Sequence, residues 1–216
     1  LPPEADVLTD RLRSVWNDAG YDSDWQSARD FEAAVSAIGR FLHWHTTRSP
    51  RVVASEVPFD GIVTVVTPSG RREELRMRGT VDRVEISDTD GVMVFDFKTG
   101  RSKPTQAAVD SSGQLRYYQL AHAHGLIEST ESLRDTAAGA ALVHLRLDAS
   151  TRDPGTPLVQ ERAVMQADEP WVSEVLGAAL DTVREEHFPA TVGPHCRVCS
   201  LKVICPAQPE GRVNVE

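Results

Sequence analysis

The order of residue patterns in this 216-residue chain predicts an α/β fold, a mixed central sheet flanked by helices. Three observations carry that expectation. Apolar residues recur at helical spacing through residues 5–45. Three runs rich in β-branched residues then follow one another between 51 and 99. After them the pattern changes to helix, strand, strand and helix before a proline- and cysteine-rich tail.

The elements follow in order. Residues 5–19 (ADVLTDRLRSVWNDA) place Val7, Leu8, Leu12, Val15 and Trp16 along one helical face, and 27–45 do the same with Phe31, Val35, Ile38, Phe41 and Leu42. Residues 51–66 (RVVASEVPFDGIVTVV) read as a strand in which Pro58 and Gly61 mark a bulge, turn or break. The stretch PSGRRE (68–73) has turn chemistry. Residues 74–87 and 91–99 are the next two strands, with DTDG as their hairpin turn. A helix is expected over 106–124, weakened in its middle by Gly113 and so able to begin late. Residues 137–147 form a strand, 150–157 a loop, 158–165 a further strand and 169–188 a last long helix. The chain divides into a helical portion over 1–50, a core over 51–190 and a cysteine-rich tail over 191–216.

Composition is that of a globular protein, 40% hydrophobic and 25% charged. No apolar run is long enough to cross a bilayer, so no membrane partner is expected and the default compartment is cytoplasmic. The formal net charge of −9 argues against a protein that coats nucleic acid by itself. The balance is uneven, because residues 71–103 carry eight Lys and Arg against seven acids. The chain opens LPPEADVL without an initiator Met, and is expected to be a fragment or a trimmed product.

Three charged residues stand where strand interiors should be apolar. Side chains two apart on a strand share a face, so Val92, Val94, Asp96 and Lys98 point one way and Met93, Phe95 and Phe97 the other. On the preceding strand Asp82 falls with Val84 and Ile86, and hairpin pairing brings it near Asp96 or Lys98. Two carboxylates held together raise each other's pKa unless a cation sits between them. Hard oxygen ligands of this kind suit Mg²⁺ or Mn²⁺. A divalent ion, two Asp and a Lys fit phosphodiester hydrolysis, in which Lys98 would orient the attacking water and stabilise developing charge. Gln114 and Tyr118, at i and i+4 on the helix that follows, share a face and can hydrogen-bond a phosphate or a nucleotide. Taken alone, a D-x-K tripeptide is common by chance and a Gln–Tyr pair is ordinary amphipathic packing. The combination of spacings is what carries weight.

The span 52–121 resembles the RecB-like branch of the PD-(D/E)XK nucleases, through VVASEVPF, GTVDRVE, VFDFKTG and QLRYYQLA in that order. The resemblance implies a restriction-endonuclease-like core. It implies that Asp82 and Asp96 are metal ligands together with the main-chain carbonyl of Phe97, that Lys98 is the catalytic lysine, and that Gln114 and Tyr118 form the motif on the following helix. Within that branch, with free-standing RecB-like exonucleases as the near alternative, the chain resembles the nuclease domain of actinobacterial helicase–nuclease subunits of the AdnAB type. That implies single-stranded DNA as substrate, a helicase motor as partner, and a role in resecting double-strand breaks for repair. Relatives carry a histidine on a helix upstream of the first core strand. His43 and His45 have the wrong context and are assigned to surface or packing, so that histidine is expected before Leu1. Cys196, Cys199 and Cys205, spaced C-x2-C-x5-C, match the C-terminal cysteines of iron–sulfur members, which implies a [4Fe–4S] cluster completed by a fourth cysteine outside this chain. Zinc with His195, or free thiols, are the rivals.

Two further classes stay open: a degenerate nuclease fold serving as a DNA-binding or scaffold module, and an unrelated metal-dependent hydrolase of a small substrate. Arg101 and Lys103 are candidates for backbone phosphate contacts, and Glu56 for a contact near the metal. Trp16, Trp25, Trp44 and Trp171 are read as packing residues, and His122 and His124 as exposed.

Overall fold

The structure, a computed structural model, describes residues 5–16, 20, 22–48, 51–86, 91–128, 136, 138–165, 170–209 and 211, with the backbone alone at 51–53. The chain forms two compact units, Leu1–Val63 with Arg76–Glu169, and Thr64–Leu75 with Pro170–Glu216.

In the first unit two helices, α1 (Ala5–Trp16) and α2 (Asp24–Arg48), precede a five-stranded sheet whose order is β1-β2-β3-β4-β5. The strands are β1 (Arg51–Val66), β2 (Arg72–Ile86), β3 (Val92–Lys98), β4 (Ala138–Ser150) and β5 (Asp153–Arg162). β2 runs antiparallel to β3, β3 parallel to β4, and β4 antiparallel to β5. The sheet is therefore mixed, as expected. The parallel β3–β4 pair needs a crossover, and α3 (Gln106–Asp110) with α4 (Gly113–Ala123) supplies it.

Several boundaries differ from the expected ones for local reasons. β1 runs unbroken through Pro58 and Gly61, because an edge strand has no second neighbour to which Pro58 must donate. The helix expected over 106–124 is two helices. Ser112 caps the second, its Oγ accepting from the Leu115 N–H, so Gly113 stands at a helix start, where it costs less than in an interior. β5 begins at Asp153, inside the expected loop, and again it is an edge strand that accepts Pro154 and Pro157. The DTDG turn falls outside the described residues except for Gly91.

One face of the sheet is covered by α2. Trp44 packs edge-on against Phe95 (5.2 Å between centroids) and Phe97 (5.8 Å), with Ala141 and Val143 beside them. A buried polar cluster lies on the same face. Arg83 donates to Glu85 (2.6 Å) and meets His45 Nδ1 (2.8 Å), while Arg48 reaches the other Glu85 oxygen (3.0 Å) and lies over the Trp44 ring. These contacts tie α2 to β2, and a buried pair of this kind is costly to break from one side. His45 is thus a packing residue, its pKa lowered mainly by burial, and His43 is exposed.

α4 covers the opposite face, burying Leu115, Tyr118, Leu120 and Ala121. Gln119 donates to the carbonyls of Ala138 (2.7 Å) and Ala163 (3.0 Å). His122, expected to be exposed, is buried with Nε2 2.8 Å from the Thr136 carbonyl. Trp25, expected to pack, is exposed with the Arg29 guanidinium over its ring.

The second unit contains the 67–71 turn, in which Gly70 takes φ +80° and its N–H donates to the Thr67 carbonyl. A π-helical stretch, Val172–Gly177, leads into α5 (Ala178–Arg184), where the expected helix stops short of 188. Gly177 permits close approach, since a Cβ there would stand 2.9 Å from Thr67 Cα. Asp181 and Arg184 of α5 pair with Arg71 and Glu73. Two 3₁₀ turns, Pro194–Val198 and Lys202–Ile204, shape the tail.

Candidate active site

Strand alternation sends Asp82 of β2 and Asp96 and Lys98 of β3 toward α4, away from the face that carries Arg83 and Glu85. Arg83 is level with Phe95 and Val84 with Val94, so one further step in the register brings Asp82 level with Asp96. The five side chains singled out in the sequence lie on this one face.

Gln114 is the hub. Its amide nitrogen donates to Asp96 Oδ1 (2.7 Å) and to the Tyr118 hydroxyl (3.0 Å), and its carbonyl oxygen accepts from Lys98 Nζ (3.0 Å). These partners fix the orientation of the amide, because only the oxygen can face the ammonium. Lys98 Nζ also stands 2.6 Å from Asp96 Oδ2. The ammonium is the partner that the structure gives to Asp96 Oδ2, which is buried. Asp82 uses Oδ2 to accept from the Phe97 N–H (2.8 Å). The main-chain contact at Phe97 that the structure gives is this N–H; its carbonyl remains a candidate ligand from the resemblance alone.

Exposure differs across the group. Asp96 is 3% exposed, whereas the Lys98 side chain is 38% exposed and reaches solvent. Burial pushes the Asp96 pKa above the ordinary carboxylate range, and Asp82 pushes it further, against the lowering effects of Lys98 and Gln114. Burial likewise raises Tyr118 above the usual phenol value.

A divalent cation fits this donor set. The two carboxylates are hard oxygen ligands, and the buried Asp96 Oδ2 already draws a cation, the Lys98 ammonium at 2.6 Å. Among the described residues no group of three or more His, Cys, Asp or Glu side chains is gathered for a metal. Two carboxylates suffice for Mg²⁺, which characteristically keeps several waters and takes further oxygens from substrate phosphates. Glu56 is exposed on β1 at φ +51°.

Two features escape sequence reading. Gly79 makes room for Phe59: a Cβ at 79 would stand 2.7 Å from Phe59 Cζ, and the Phe59 ring abuts Tyr118 edge-on at 6.3 Å. Gly79→Ala is therefore expected to drive Phe59 toward Tyr118, lowering stability by about 1–3 kcal/mol. A reduced urea midpoint with a matching loss of cleavage rate checks it, and an unchanged midpoint contradicts it.

The second feature is His144, level with Lys98 in the β3–β4 pair and buried. Gln160 donates its amide to the Pro104 carbonyl (3.2 Å), so its oxygen accepts from His144 Nε2 (2.9 Å), leaving His144 Nδ1 as an acceptor with no partner among the described residues. Burial lowers its pKa, which favours the neutral ring. The sequence signal was there: His144 interrupts the apolar run of AALVHL.

In the second unit Cys196, Cys199 and Cys205 form no disulfide among the described residues, and Cys196 Sγ accepts from the Gly193 N–H (3.3 Å). This chain supplies three of the four thiolates a [4Fe–4S] cluster needs, and they are not gathered, so the residues present do not fit a cluster by themselves.

A family model described as the PD-(D/E)XK nuclease superfamily matches residues 1–206. No curated protein matches. Among solved structures, the crystal structure of SSO0001 is similar, at 15% identity over 93% of this chain and 81% of that one, with a TM-score of 0.37.

Proposed function

This chain belongs to the PD-(D/E)XK nuclease superfamily, and on that premise we propose that it is a divalent-metal-dependent deoxyribonuclease that cuts single-stranded DNA as the nuclease module of a helicase–nuclease. The observation that carries this reading is the linked set on one face of the sheet, in which Gln114 joins Lys98, Asp96 and Tyr118 and the Lys98 ammonium stands on the buried Asp96 carboxylate.

Asp82 and Asp96 would hold Mg²⁺ or Mn²⁺, which when bound supplies an acidified water and neutralises charge on the phosphoryl oxygens. Lys98 does its work at the solvent side of the pair. Its ammonium is positioned by Gln114 and Asp96, and from there it orients the attacking water and stabilises negative charge developing on the phosphate. Gln114 keeps both of those groups in place with one side chain, which lowers the reorganisation needed at the moment of reaction. Tyr118, its pKa raised, remains a neutral hydroxyl and so does not repel the phosphate.

The motor partner and the role in end resection rest on the resemblance to helicase–nuclease subunits. A partner surface is further supported by the second unit, where Phe188, Val192, Val198, Leu201, Val203 and Ile204 are each at least 60% exposed. The [4Fe–4S] cluster belongs to the same reading and requires a fourth thiolate from outside residues 1–216; bound iron and acid-labile sulfide in the full-length protein decide it.

The test is cleavage of an end-labelled single strand and of the matching duplex in Mg²⁺, in Mn²⁺ and in EDTA. The expected result is metal-dependent cutting, faster on the single strand and abolished by EDTA. Binding without cutting under every condition would favour the scaffold reading instead.

A further inference from the structure

Beyond the carboxylates, the first unit concentrates positive charge at one place. The loop after β3 carries Arg101, three residues past Lys98; β4 carries Arg146, two residues past His144, and roughly 7 Å along the strand from the level of Lys98. Arg40 reaches the same place from α2. These three side chains line a cleft of about 300 Å³ with Ala33, Ser36 and Leu147.

Among the described residues the ion pairs here join four guanidiniums to two carboxylates. Asp30 alone serves three of them, Arg101 at 2.6 Å, Arg29 at 3.5 Å and Arg146 at 3.7 Å, while Arg40 pairs with Asp148 at 2.7 Å. One carboxylate cannot satisfy three guanidiniums with forked geometry, so donor capacity is left over on Arg101 and Arg146. This surplus lies beside the end of the strand that bears Lys98, in a chain of net charge −9, with the Arg101 side chain 59% and the Arg146 side chain 22% exposed.

We propose that the Arg40–Arg101–Arg146 cleft, on the α2 side of the sheet beside the end of β3, binds a backbone phosphate of the DNA strand, and that Asp30 occupies part of that anion site when DNA is absent. This inference rests on the nuclease reading and deepens it by naming a contact that holds the strand. Guanidinium forks match phosphate oxygens in pairs, which is why arginine rather than lysine suits such a seat. The contact carries no base information, in keeping with an enzyme that must cut any sequence a motor delivers.

The test is fluorescence anisotropy of a short labelled oligothymidylate with the whole chain in EDTA, where no cutting occurs, read as a function of salt. The Arg101→Ala/Arg146→Ala variant is expected to bind about tenfold more weakly. Its log–log salt slope should be shallower by about 0.7, the value of one phosphate contact on a single strand. Asp30→Asn should shift binding the opposite way, tightening it, because the internal competitor is gone. An ion-pair staple with no DNA role would give no change in salt slope, and Asp30→Asn would then weaken binding or leave it alone; either result overturns the proposal. Thermal melting of each variant shows whether it is folded, and if Asp30→Asn fails to fold, the slope of the arginine variant decides. Metal-dependent cutting by the wild type, with binding by the arginine variant unchanged, removes the cleft and leaves the nuclease reading standing. Neither cutting nor binding by the wild type removes both.

Discussion

Asp96→Asn is expected to abolish metal-dependent cleavage and, at the same time, to make the metal-free protein more stable. The loss of activity should be at least about 10²–10³-fold, the scale of removing one preorganised electrostatic group from a site. The gain in stability follows from burial. Asp96 is 3% exposed, and its burial, with the charge on Asp82, lifts its pKa against the opposing effect of the Lys98 ammonium. Asparagine keeps the shape without the charge. Lys98, left without its partner, retains Gln114 and reaches water. The pH dependence has a definite sign. A native pKa above the unfolded value of about 3.9 means the native state holds the proton more tightly, so this contribution is full below the unfolded pKa and is lost as pH rises through the native one. The wild type without metal should therefore lose stability relative to Asp96→Asn as pH rises from about 4 toward neutrality. Melting curves in EDTA across that range measure the difference, and a variant less stable than wild type at neutral pH contradicts the account.

Trp44→Ala is expected to be the most damaging single change to the fold. The indole fills the space between α2 and the sheet, packed on Phe95 and Phe97, and the guanidinium of Arg48 lies 4.3 Å from its centroid. Truncating a buried tryptophan costs about 3–5 kcal/mol through lost transfer energy and the cavity left behind. In a chain of this size that lowers Tm by roughly 6–20 °C. It would also undercut the Arg83–Glu85–His45 cluster, whose cation lies 5.4 Å from the same ring. Because Phe95 and Phe97 flank Asp96 on β3, cleavage should fall along with stability. A denaturant midpoint within error of wild type would show that α2 does not hold this face.

How much of this was legible in the sequence depends on the range of each interaction. Asp82, Asp96 and Lys98 stood out because strand alternation is strictly local and charges among valines violate it. Gln114 and Tyr118 were legible for the same kind of reason, a helical turn of spacing. The hub role of Gln114 was not, since it depends on where α4 lands across the sheet. The burial of Arg83 and Glu85 has no local signal, because their partners His45 and Arg48 come from a helix about 40 residues earlier. The break at Ser111–Ser112 turned on side-chain capping, which competes with helix propensity over one residue. Prolines in β5 misled because tolerance for proline depends on being at a sheet edge, and strand order is not a local property. His122 was misplaced for the same reason: its acceptor, the Thr136 carbonyl, comes from beyond the helix.

Single-turnover cleavage of labelled single-stranded DNA in Mn²⁺ by the wild type, Asp96→Asn and Lys98→Ala, each shown to be folded by circular dichroism, tests the central claim most directly. The account predicts cutting by the wild type alone, with both variants reduced at least about 10²-fold. Equal rates for all three would contradict it, placing the chemistry somewhere other than the Asp82–Asp96–Lys98 face of the sheet.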